Sequence, residues 1–101
     1  MRFGKLTLNP EERETTLEGK PVSLPRKEFQ ILALLMANPE RVIARDTIIR
    51  SVWGDEYVGN MKTLDVHIKR LRRKIQADGT PPRAIVTVRG FGYKLTATPT
   101  D

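Results

Sequence analysis

Cysteine is absent from this chain of 101 residues, and histidine occurs once. Without thiols there is no disulfide framework and no thiolate zinc site, and one imidazole cannot fill a metal shell alone, so no metal site and no cofactor is expected. Long apolar runs are missing as well. The longest, residues 31–37, is seven residues, against the roughly 20 that a membrane-crossing helix needs. No apolar signal region follows Met1-Arg2-Phe3-Gly4-Lys5, and with the missing thiols this leads to an expectation of a cytoplasmic protein without membrane contact. No internal repeat or low-complexity tract is visible. Catalytic constellations are lacking too: there is no Ser/His/Asp or Cys/His set, no phosphate-cradling glycine loop ahead of a helix, and no carboxylate pair that a cleft would unite. The chain does not read as an enzyme.

What is present is a globular composition, 39% hydrophobic and 30% charged. Residues 1–101 form one domain with a real but modest core. The net charge of +6 is unevenly placed. Residues 1–60 carry nine Lys/Arg against nine Asp/Glu, whereas residues 61–95 carry nine Lys/Arg against only Asp65 and Asp78. A basic excess confined to the last third of a chain produces a surface potential with a direction, which suits a polyanionic partner.

Alternating Leu6 and Leu8 with Lys5 and Thr7 predict a half-buried strand over residues 3–8. A second strand is expected over 14–18 and a short third over 22–24, joined by polar turns into an antiparallel sheet. Residues 26–37 carry two apolar rows, Phe29/Leu32/Met36 and Ile31/Leu35, and predict a broadly buried helix stopped by Asn38-Pro39. Val42-Ile43 suggests one more short strand. A second helix is expected over 46–53, with Ile48, Ile49, Val52 and Trp53 inward and Gly54 as its cap. After a loop, Asn60 is placed to cap a third helix reaching about residue 77. Residues 85–96 alternate around Gly90-Phe91-Gly92 and predict a β-hairpin. Two helices separated by a short loop and followed by a hairpin have the layout of a helix-turn-helix with a wing.

The third helix holds the sharpest signal. At about 100° per residue, Leu64, Ile68, Leu71 and Ile75 fall on one narrow stripe. Lys62, Val66, Lys69, Arg70 and Arg73 fall on the opposite side, with Arg72 and Lys74 on the flanks. Only Asp65 and Lys69 offer an acid–base pair at i,i+4, so the cations are not arranged as a self-neutralising solvated face. An aliphatic back with a cationic front is what a helix in a DNA major groove requires. Asp65 is expected to orient a neighbouring Arg or Lys. His67 lies about 60° from the centre of the apolar stripe, where packing and a phosphate contact are both open. Tyr93 is expected in the core, and Trp53 mostly so.

Four segments now resemble a known family: L-P-R-K-E-F-x-I-L at residues 24–32, V-W-G at 52–54, K-T-L-D-V-H-I-K-R-L-R-R-K-I at 62–75 and V-T-V-R-G-F-G-Y-K-L at 86–95. In this order and spacing they resemble the winged-helix effector domain of OmpR/PhoB-type bacterial response regulators, with a similarity to actinobacterial phosphate-starvation regulators. The match covers roughly residues 3–96. Two positions depart from the family pattern. Pro25 and Ala44 stand where the family often has a helix-capping Thr, and both affect helix starts rather than the basic face.

The resemblance implies an α+β winged helix-turn-helix: a four-stranded N-terminal sheet, a three-helix core and a hairpin wing. It implies sequence-specific binding of double-stranded DNA for transcription regulation as the output of a two-component, phosphorelay system. The recognition-helix candidates are Lys62, Thr63, Val66, His67, Lys69, Arg70, Arg72 and Arg73, and the wing candidates are Thr87 and Arg89. Lys69 and Arg70 are the best base readers, Val66 suits a thymine methyl, and Lys62, Arg72 and Arg73 suit phosphates. The segment holding Trp53, Gly54, Asp55, Glu56 and Asn60 matches a loop that contacts RNA polymerase. The family also implies head-to-tail self-association on direct repeats, and an upstream phosphate-accepting receiver domain that this chain lacks. The rival reading is a winged-helix protein-interaction module that contacts RNA polymerase through residues 54–60 and binds DNA only nonspecifically.

Overall fold

A computed structural model describes residues 1–54, 61–75 and 85–96. The N-terminal part is an antiparallel sheet of four strands in sequential order: β1 (Arg2–Phe3), β2 (Leu6–Asn9), β3 (Glu14–Leu17) and β4 (Lys20–Pro21). Leu6 and Leu8 point into the core while Thr7, on the other face, is half-buried, as the alternation in β2 requires. Two expectations need correction. The run over 3–8 is not one strand, because the chain reverses at Gly4, whose φ of 59° admits a tight turn that breaks β1 from β2. The strand expected over 22–24 is Lys20–Pro21 instead. Pro21 is tolerated there because β4 is an edge strand that needs no donor on its open side.

Helix α1 (Arg26–Ala37) follows, with Ile31, Leu32, Leu35 and Met36 buried. Pro25 supplies no side-chain cap; the Phe29 N–H donates to the Pro25 carbonyl at 2.9 Å, so the start of the helix is carried by the backbone alone. Strand β5 (Val42–Ala44) leads directly into helix α2 (Arg45–Trp53), which begins one residue earlier than expected, again without a side-chain cap at Ala44. Ile48, Ile49 and Val52 are buried and Gly54 ends the helix, its N–H donating to the Arg50 carbonyl at 3.0 Å. Helix α3 (Met61–Ile75) is the third of the core, and the proposed Asn60 cap lies outside the described residues.

The hairpin is β6 (Ile85–Val88) and β7 (Gly92–Leu95). It does not stand alone: β7 also pairs with β5, giving a second sheet in the order β5-β7-β6. The reversal is made by Arg89-Gly90-Phe91, one residue ahead of the expected Gly90-Phe91-Gly92, and Gly92 belongs to β7. A Cβ at Gly92 would lie 1.9 Å from the Ile43 carbonyl oxygen. Only glycine allows β5 that close an approach.

One apolar core unites both sheets and all three helices. Leu6 and Leu8 from the first sheet, the buried faces of α1, α2 and α3, and Ile85, Tyr93 and Leu95 from the second sheet form one cluster. No helix among the described residues is long and apolar enough to cross a membrane.

Candidate nucleic-acid interface

Helix α3 is fixed from behind by the predicted stripe. Leu64, Ile68 and Leu71 are fully buried and Ile75 nearly so. At about 25 cal/mol per Å² of apolar area, burying four such side chains is enough to hold the helix to the core in one rotation. That rotation decides where the cations go. Lys62, Val66, Lys69, Arg70 and Arg73 are exposed. Among the described residues, Lys69, Arg70 and Arg73 have no acidic partner, so their charge is directed at solvent. Val66, 45% exposed, sits among them as an apolar point.

The flanking cations behave differently. The Lys74 ammonium lies 2.9 Å from the Glu28 carboxylate of α1, and Glu28 is 2% exposed. Arg72 turns toward the wing. Its Nε donates to the Ile85 carbonyl at 3.0 Å and its Nη2 donates to the Thr87 hydroxyl at 2.6 Å. The guanidinium carbon also stands 5.6 Å from the centre of the Tyr93 ring.

Tyr93 is a junction between β7, α2 and α3. Its hydroxyl donates to the Asp65 carboxylate, and Asp65 also pairs with Arg45 at 3.6 Å. The Arg45 guanidinium carbon stands 5.5 Å from the same ring. Burial, the hydrogen bond to Asp65 and the charge of that carboxylate push the Tyr93 phenol up to about 12, against the opposing pull of Arg45 and Arg72. Asp65 thus orients an arginine, as expected, and that arginine belongs to α2 rather than to α3.

His67 is a packing residue on its observed contacts. Its Nδ1 lies 2.7 Å from the Thr63 carbonyl and its ring meets Trp53 edge-on at 5.1 Å. Trp53 is half-buried, with the Lys27 ammonium 5.6 Å from its ring centre. Lys27 also donates to the Val52 carbonyl at 2.9 Å, tying α1 to the end of α2. Thr63 is half-buried in the first turn of α3. Gly54 is the exposed end of α2, whereas Asp55, Glu56 and Asn60 lie outside the described residues.

The wing presents Thr87 on β6 and Arg89 in the turn, both exposed. Phe91, in the same turn, is 70% exposed, the most exposed large apolar side chain described. The predicted residues therefore divide. Lys69, Arg70 and Arg73 share one outward face and Arg89 lies at the wing turn, whereas Arg72, Thr87 and His67 are engaged within the domain. Sequence reasoning overlooked Glu28 and Arg45. Glu28 carried a signal, because it stands at i, i+3, i+4 and i+7 with Ile31, Leu32 and Leu35, the row of an inward face. Arg45 carried none. Among the described residues no group of acidic or imidazole side chains is arranged to hold a metal ion.

Residues 19–95 match the family described as "Transcriptional regulatory protein, C terminal". The chain is 50% identical over 95 residues to the sensory transduction protein RegX3 of Mycolicibacterium smegmatis, covering 94% of this chain and 42% of that protein. It is 44% identical over 95 residues to the alkaline phosphatase synthesis transcriptional regulatory protein SphR of Synechococcus elongatus, covering 94% of this chain and 37% of that protein. The chain thus spans about two fifths of the length of these relatives. Among solved structures it resembles the RstA DNA-binding domain of Klebsiella pneumoniae in complex with its RstA box, with a TM-score of 0.83, 34% identity and 95% of each chain covered. It also resembles DrrB, an OmpR/PhoB homologue of Thermotoga maritima, with a TM-score of 0.84, 35% identity and coverage of 95% of this chain and 43% of that one. With the winged-helix fold and the basic outward face of α3 in place, this chain belongs to the family of C-terminal effector domains of OmpR/PhoB-type transcriptional regulators.

Proposed function

We propose that this domain binds double-stranded DNA sequence-specifically, to regulate transcription as the output of a two-component system. The single observation that carries the reading is the face of α3: three outward cations without acidic partners among the described residues, set on a helix whose apolar back is buried. In this reading α3 enters the major groove. Lys69 and Arg70 reach base edges, Val66 meets a thymine methyl, and Lys62 and Arg73 hold phosphates. The wing reaches the adjacent minor groove with Arg89, where the potential is most negative. The resemblance to the RstA DNA-binding domain, which was solved in complex with its RstA box, supports DNA binding.

Three further elements belong to the proposal. The domain binds direct repeats head to tail, with centres about one helical turn, roughly 10–10.5 bp, apart. The segment holding Trp53, Gly54, Asp55, Glu56 and Asn60 is the part that meets RNA polymerase. Phosphorylation of an upstream receiver controls the whole from within the cytoplasm; the similarity to RegX3, a sensory transduction protein, supports the signalling role.

Selection of sites from a random duplex library, followed by titration against scrambled duplexes, tests the reading. Specific binding is expected to exceed nonspecific binding by about 10³-fold or more at moderate salt. Arg70→Ala should cost about 1–3 kcal/mol on the selected site and relax the preference at one base pair, whereas Arg73→Ala should weaken all duplexes alike and reduce the salt slope by about 1. Equal affinity for selected and scrambled DNA would hand the function to the interaction-module reading.

A further inference from the structure

We infer that Arg72 is a positioning residue that locks the wing to the recognition helix, so that Arg89 acts on DNA only through it. The inference rests on the proposed DNA contact of the wing and adds the device that makes the contact effective.

In the order β5-β7-β6, the described pairing of β6 is with β7 alone, so its other edge carries backbone groups that the sheet does not use. Arg72 approaches that edge. Its Nε meets the Ile85 carbonyl at 3.0 Å and its Nη2 meets the Thr87 hydroxyl at 2.6 Å, two residues further along the same strand. A guanidinium has rigidly spaced donors in one plane, and here two of them engage one strand at two points. Two-point attachment sets the angle of the strand as well as its distance. The Tyr93 ring, 5.6 Å from the guanidinium carbon, adds a third constraint from the neighbouring strand β7.

The anchor is well placed to transmit that constraint. Arg72 is one residue from Leu71, which is fully buried, so its backbone is held by the core. Arg89 is two residues beyond Thr87, at the turn of the hairpin. The path from core to wing tip is therefore Leu71, Arg72, Thr87, Arg89, with one charge-assisted link in the middle. A wing fixed before binding loses less freedom when α3 docks, and the helix and wing then grip two grooves as one body. A lysine ammonium has donors that rotate about a single point, so it would not hold the angle.

A double-mutant cycle on the selected duplex tests this. In the parent domain Arg89→Ala should lower affinity by about tenfold. In an Arg72→Ala background the same change should lower it by less than about threefold, because the wing is no longer held in place. Arg72→Lys should behave as Arg72→Ala, since retained charge without the fork does not restore the lock. Thr87→Val, which keeps the shape and removes only the acceptor, should also reduce the contribution of Arg89, and it decides the matter if Arg72→Ala fails to fold. If Arg89→Ala costs the same in every background and Arg72→Ala lowers the salt slope by about 1, Arg72 is an independent phosphate contact and the inference is overturned. If Arg89→Ala is silent in the parent domain, the wing contact proposed above falls, and the inference falls with it.

Discussion

Lys74 and Glu28 form a pair of unequal burial, and the inequality makes a quantitative prediction. Their side chains are 35% and 2% exposed and their charged atoms are 2.9 Å apart. Lys74→Met keeps most of the stem volume and leaves the Glu28 carboxylate without its counter-ion in the core. Removing one partner of a buried pair costs about 3–5 kcal/mol. Water can follow into the space vacated by a lysine that was one-third exposed, so the lower end, about 3 kcal/mol, is expected. A domain of this size is stable by about 5–15 kcal/mol, so the loss is a large share of the total. The midpoint of thermal unfolding should fall by about 12 °C or more. Glu28→Met alone should cost less, because the stranded ammonium can turn into water. The double variant Glu28→Met/Lys74→Met should lie within about 1 kcal/mol of the parent or above it. Urea unfolding followed by the fluorescence of Trp53, the one tryptophan of the chain, with circular dichroism as the second probe, measures all three. A Lys74→Met variant within about 0.5 kcal/mol of the parent would refute the reasoning, since that is the magnitude of a solvated surface pair. DNA affinity of the folded variants should not change, because Lys74 is turned away from the basic face.

Two other perturbations probe the second sheet. Gly92→Ala places a methyl 1.9 Å from the backbone oxygen of Ile43, and backbone cannot move aside as a flexible side chain would. The expected loss is about 3 kcal/mol, with amide exchange accelerated in β5; unchanged protection at Ile43 and Ala44 would contradict the geometry. Tyr93 is pushed from 10.0 to about 12, so the folded protein favours the neutral phenol. The stability it contributes is complete below pH 10 and is lost as pH rises through 12. Tyr93→Phe should lower stability at neutral pH by about 1.5–3 kcal/mol, the worth of a hydrogen bond to a charged group, and flatten the decline between pH 10 and 12. Parallel alkaline declines in the two proteins would remove the Asp65 hydrogen bond from the account.

The parts of the fold that were legible in the sequence are those with a repeating period. The stripe Leu64/Ile68/Leu71/Ile75 placed α3 and its rotation, and with them the outward position of Lys69, Arg70 and Arg73. Helix α1 was bounded correctly because Asn38-Pro39 ends its apolar rows. What escaped notice has no period. The turn at Gly4 divides a run whose alternation looks continuous, and β4 at Lys20–Pro21 is two residues long, too short to alternate. Helix position alone could not show that Arg72 turns to β6, because a long side chain on a flank can reach either way and the acceptors, Ile85 and Thr87, are distant in sequence. For the same reason the pairing of Asp65 with Arg45 could be anticipated in kind and not in partner.

Strand β7 is the last of the described strands in sequence order, yet it occupies the centre of its sheet, between β5 and β6. Its pairing of Lys94 with Val42 bridges about half of the chain. Such a non-local closure costs loop entropy before its contacts reward it, which slows folding. Until residues 92–95 have left the ribosome, β5 lacks the strand it is described as pairing with, and the core lacks Tyr93 and Leu95. Nascent chains stalled before that point should stay protease-sensitive throughout, so the surface that grips nucleic acid is completed only after β7 has been made.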